Sequence, residues 1–134
     1  MTFVLHPQLE ADTFPITESE LSELRLMNDA RYPWTILIPK LTDLSEWHDV
    51  PQDLQSQIWD SVAHCSRTLD ALFQPTKMNI AALGNMVPQL HIHILARFAD
   101  DPAWPQPVWG VGTAVPYSAA ERDERISAIR DALT

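Results

Sequence analysis

Gly84-Asn85-Met86-Val87-Pro88-Gln89-Leu90-His91-Ile92-His93-Ile94-Leu95-Ala96-Arg97 is the stretch around which the chain is organised. From Gln89 onward, polar or bulky residues alternate with aliphatic ones, the period of a strand whose successive side chains point to opposite faces. Leu90, Ile92 and Ile94 then share one face, and Gln89, His91, His93, Leu95 and Arg97 the other. Two imidazoles and an amide in a row, on a strand otherwise made of core aliphatics, ask for a chemical reason.

Working outward, Lys77 to Leu83 reads as the preceding strand, with Asn79, Ala81 and Leu83 on one face and Met78, Ile80 and Ala82 on the other. Gly84 breaks it, so the two strands are expected to pair as an antiparallel hairpin. Upstream lies the clearest helix. Pro51 suits its first position, Leu54, Ile58, Val62, Cys65, Leu69 and Leu72 recur at helical intervals, and Gln74-Pro75 ends it. Trp34 to Ile38, stopped by Pro39, reads as a buried strand, and Leu21 to Met27 as its neighbour across the Asn28–Pro33 turn. Thr13 to Glu18 reads as a short edge strand around Pro15, and the residues before it carry no assignment. After the proline-rich, acidic segment Asp100–Pro107, Ser118-Ala119-Ala120-Glu121 matches a capping box. Ile126, Ile129 and Leu133 give the helix that follows an apolar edge. These elements predict one α+β domain over residues 1–134 with a mostly antiparallel sheet.

The chain has 134 residues, 46% of them hydrophobic, enough for a core without disulfides. A formal charge of −9 opposes any large phosphate-neutralising surface, which argues against duplex nucleic acid as a partner. No stretch approaches the roughly twenty apolar residues that span a bilayer, and Met1 to Glu10 has no signal-peptide pattern. Cytoplasmic localisation is the expectation, with no membrane partner. Cys65 is the only cysteine, which excludes an internal disulfide and a cysteine zinc site.

Three readings of the histidine pair stand side by side. The residues can simply be hydrogen-bonded groups on a half-exposed strand. Imidazoles two apart can face one metal ion, but His6, His48 and His64 have no ligand spacing and further ligands would be needed. Or a neutral imidazole can act as nucleophile on phosphorus, given a partner that sets its tautomer and donors for the phosphate oxygens. Gln89, Asn85, Asn79 and the backbone at Gly84 offer such donors without a basic cluster. Asn79 can equally bond across the sheet, and Asn85 shape a turn. At its strand end Arg97 is expected to reach solvent, and Trp104 and Trp109 to line either a surface or the core.

The Gly84–Leu95 stretch resembles the signature of the histidine triad (HIT) proteins, in which three histidines alternate with hydrophobic residues after a glycine and an amide-bearing residue. Met27-Asn28-Asp29 and Tyr32–Lys40 resemble the family's ribose-contacting turn and the strand ending in Pro-Lys, so the likeness runs from about Leu21 to Arg97. It implies a five-stranded antiparallel sheet with helix packing, a homodimer, and hydrolysis or transfer of a nucleoside monophosphate from a P–N or P–O–P linkage, with no cofactor or protein-bound metal. By motif position, His91 would attack the α-phosphate and His93 would contact it and assist the leaving group. Asn85 and Asn79 would lie beside the phosphate, and Asn28 would bind ribose hydroxyls. Gln89 stands where the family has its first histidine, which alters the proton network and keeps open a nucleotide-binding module of weak turnover, with a metal-binding protein third.

Overall fold

The computed structural model describes residues 2–134. Met1, at the head of the unassigned N-terminal stretch, lies outside them. The elements are α1 (Pro7–Asp12), β1 (Thr13–Glu18), β2 (Ser22–Met27), β3 (Trp34–Pro39), α2 (Gln52–Phe73), β4 (Lys77–Ala81), β5 (Ile92–Arg97) and α3 (Ala119–Leu133), with a 3-10 turn at Trp47–Asp49. The strands form a five-stranded sheet in the order β1-β2-β3-β5-β4, every neighbouring pair antiparallel. The α+β class, the sheet and both main helices match the expectation. β1 lies at the edge, where Pro15 costs no ladder bond and the register slips between Pro15 and Thr17.

Alternation along the strands divides the sheet into two faces. Leu24, Leu37, Ile92 and Ile94 pack with Ile58, Val62, Cys65 and Leu69 of α2 and with Ile126 and Ile129 of α3. Tyr32, Trp34, Ile36 and Leu95 belong to a second cluster, closed by Leu9, Val87, Ala103 and Val108 from irregular chain and α1. Ser118 caps α3 by accepting from the Glu121 backbone N–H, as the capping box predicts.

Some boundaries depart from expectation, each for a local reason. β5 starts at Ile92, so Gln89, Leu90 and His91 lie outside the strand. Their partners are elsewhere: the Leu90 N–H donates to the Leu44 carbonyl, and the Gln89 side chain binds the main chain at Val4 and His6. Pro51 is the residue before α2 rather than its first, and Leu72 is exposed near the helix end. α1, which the sequence reading does not assign, is capped by a histidine, His6, whose Nδ1 accepts from the Gln8 N–H. Arg97 corrects the solvated reading: it is 1% exposed and forms a two-point ion pair with Asp101 at 2.8 and 3.1 Å. It also donates to the Asn79 side chain and the Gln106 carbonyl. Its guanidinium lies over the rings of Tyr32 and Trp104, so every face of the cation is occupied.

Candidate functional site

His91 and His93 lie on one side of the sheet, ring centroids 4.9 Å apart and planes at 65°. Only 6% and 4% of their surfaces are exposed. Each ring has one partner that determines where its proton sits. His91 Nδ1 lies 2.7 Å from the Gln89 carbonyl oxygen, which can only accept, so Nδ1 carries the hydrogen and Nε2 keeps its lone pair. The indole N–H of Trp34 donates to His93 Nδ1 at 3.0 Å. Burial lowers the pKa of His91, aided by the nearby charge of His6 and opposed by the Gln89 bond. Burial, followed by the charge of His91, pushes His93 down to about 3. Both imidazoles are therefore neutral near pH 7.

The remaining predicted residues are scattered around this pair. Gln89 is close through its carbonyl, but its side-chain amide is engaged elsewhere: Nε2 donates to the Val4 carbonyl and Oε1 accepts from the His6 N–H. Asn85 is exposed on the bend after Gly84, and Gly84, at φ +76°, lines a small hollow of about 90 Å³ with His91, Glu46 and Trp47. Asn79 shares the histidine face by register, paired with Leu95, yet its Oδ1 accepts from Arg97 rather than reaching an imidazole. Asn28 lies apart in a cleft of about 400 Å³, where its Oδ1 accepts from the Tyr117 N–H. Trp34 and Trp109 connect the two places, since both line that cleft and both pack on His93, at 5.7 and 5.0 Å.

Sequence reasoning missed how the cleft is closed. Arg31 pairs with Asp29 at 2.8 Å and donates to the Val111 carbonyl, while Asp29 also accepts from the Val115 N–H. Burial opposes the charge on Asp29, but its bonds from Arg31 and Val115 hold the carboxyl below the usual range. Glycine suits position 112, because φ is +64° and a Cβ there would stand 2.9 Å from Arg31 Nη1, forcing the guanidinium to shift. The only hint was glycine near tryptophan in an irregular segment. A larger hollow of about 640 Å³, between the N-terminal residues, Thr42–Ser45 and Gln89, has neither His91 nor His93 in its wall. Among the described residues, no three His, Cys, Asp or Glu side chains gather to hold a metal ion, and no helix is long and apolar enough to cross a membrane.

Similar proteins share this arrangement of strands and helices. A histidine triad protein from Bradyrhizobium japonicum is 41% identical over 100% of both chains, with a TM-score of 0.97. One from Marinobacter aquaeolei VT8 is 41% identical over 99% of this chain and 97% of its own, TM-score 0.96. One from Sinorhizobium meliloti 1021 is 39% identical over 97% and 96%, TM-score 0.94. No curated protein matches the chain significantly. The HIT domain family model matches residues 8–100, and with these likenesses it establishes that the chain belongs to the histidine triad family.

Proposed function

We propose that the protein is a nucleotide hydrolase or nucleotidyl transferase acting at the α-phosphate of a dinucleoside polyphosphate or nucleoside phosphoramidate, with His91 as nucleophile. The observation that carries this reading is the Gln89 carbonyl on His91 Nδ1, which leaves an unprotonated Nε2 on a neutral ring beside a second imidazole. Nε2 attacks phosphorus, the bond to the leaving group breaks, and water then cleaves the nucleotidyl-histidine, returning the electron pair to Nε2. His93 hydrogen-bonds the phosphoryl group from Nε2. Gln89, in the place of the family's first histidine, acts through its carbonyl. Asn28, with Trp34 and Trp109, receives the nucleoside, and Asn85 reaches the phosphate from its exposed bend. Asn79 belongs to the site through Arg97. A homodimer fits the exposed Ile80, Leu83 and Met86 on and beside the outermost strand β4.

Mass spectrometry of quenched protein is expected to show a nucleotide adduct on wild type and none on His91→Ala, with turnover down about a thousandfold or more. Activity that survives His91→Ala removes this residue from the role. One observation favours a second reading, a nucleotide-binding module of weak turnover: the Gln89 amide is held by the N-terminal main chain and adds no proton carrier to the pair. Calorimetric binding of a nucleoside monophosphate without hydrolysis of either substrate class would select that reading.

A further inference from the structure

The indole nitrogen of Trp34 and His93 Nδ1 lie 3.0 Å apart, both residues buried. An indole N–H donates and never accepts. His93 Nδ1 must therefore present its lone pair, and the single proton of the neutral ring sits on Nε2, the reverse of His91. Protonating Nδ1 would set two N–H groups against each other where neither can turn to water.

We propose that Trp34 is a positioning residue that locks His93 as a neutral ring with its proton on Nε2, so that the site favours a leaving group that departs as an anion over one that must be protonated. The leaving-group half rests on the nucleotidyl-histidine chemistry above; the tautomer half stands without it. When His91 Nε2 attacks phosphorus, the N–P bond forms as the P–X bond breaks, and the electron pair leaves with X. A neutral His93 can offer a hydrogen bond from Nε2, but giving up that proton would leave an imidazolate. A phosphate-anhydride leaving group carries its electron pair away as a stable anion. An amine expelled from a P–N bond needs a proton, which must then come from water.

The surroundings of His93 supply no rival charge. β3 contributes Trp34 and Ile36, β4 contributes Ala81, the 108–112 segment contributes Trp109, and its own chain contributes His91. Of these only His91 titrates, and its charge further opposes protonation. Arg97, four residues on along the same strand face, is matched by Asp101.

Nitrogen NMR on wild-type protein tests the lock directly. A through-bond ¹⁵N–¹⁵N coupling between Trp34 Nε1 and His93 Nδ1, with the proton on Nε2 at pH 7, is the expected result. Absence of that coupling, or a proton on Nδ1, overturns the proposal even if no variant folds. In Trp34→Phe both tautomers should appear and the titration midpoint of His93 should rise by about one unit or more; an unchanged tautomer and midpoint in a folded variant also overturn it. For turnover, wild type should prefer diadenosine tetraphosphate to an adenosine phosphoramidate of an alkylamine by about a hundredfold, the low end of what proton donation contributes. Equal or reversed rates overturn the leaving-group half. Turnover of neither substrate overturns the function proposed above together with that half, while the NMR result decides Trp34 independently.

Discussion

The two faces of the sheet solve the same burial problem by different means. Toward the helices, Leu24, Leu37, Ile92 and Ile94 meet Ile58, Val62, Leu69 and Ile129, an aliphatic layer that needs area and fit but no directed bonds. On the histidine face, Trp34, Leu95 and His93 are covered by irregular chain, and the cover is pinned by oriented polar groups. Asp101 alone pairs with Arg97 and accepts from the N–H groups of Phe98, Ala103 and Trp104. Irregular chain is what makes a site possible there, because its free carbonyls and N–H groups can be aimed at side chains as Gln89 is at His91. An aliphatic layer yields gradually to damage. A polar one fails when a single partner is lost.

That contrast can be broken deliberately. Arg97→Leu should cause the largest loss, about 4 kcal/mol by chemical denaturation, because Asp101 is left buried without its cation. It should also disturb the site, since the segment that Asp101 organises leads to Trp109 on His93. Ile94→Ala, on the other face, should lose about 3 kcal/mol through the cavity it leaves. The NMR signature of the two imidazoles should survive it; if it does not, the faces are not separable. Taken per unit of pH, the smallest effect is acid sensitivity. His93 titrates near 3 when folded but near 6.5 when unfolded, so between those values the unfolded chain takes up a proton that the folded one refuses. Stability should therefore fall as pH drops from about 6.5 toward 3, by up to about 1.4 kcal/mol per pH unit, and stay flat with respect to this group above pH 7. His93→Gln should remove that part of the slope in pH-dependent denaturation.

Particular residues show where sequence reasoning reaches its limit. The alternation of Leu90, Ile92 and Ile94 against His91, His93 and Leu95 assigned both faces correctly, because a strand's side-chain period is a local property. The same alternation suggested a strand from Gln89, and it does not begin there, since the partners of Gln89 and Leu90 are Val4, His6 and Leu44, far away in the chain. Arg97 reads as solvated at a strand end because nothing near it in sequence announces Tyr32, Asn79 and Gln106 as its surroundings. Trp34 reads only as a core residue. That its N–H meets a ring 59 positions later is visible only in the register of β3 against β5.

The order of residues alone determined the types of the five strands and the two main helices, the separation of an aliphatic face from a histidine face along the Gln89–Arg97 stretch, and the family, because periodicity, capping and motif spacing are written within a few residues of one another. Only the tertiary structure decided which nitrogen of each imidazole holds a proton, how the Gln89 amide is engaged, and what neutralises Arg97. Those outcomes depend on atoms brought within about 3 Å by chain closure, a distance that hydrogen bonding requires and that no local pattern encodes.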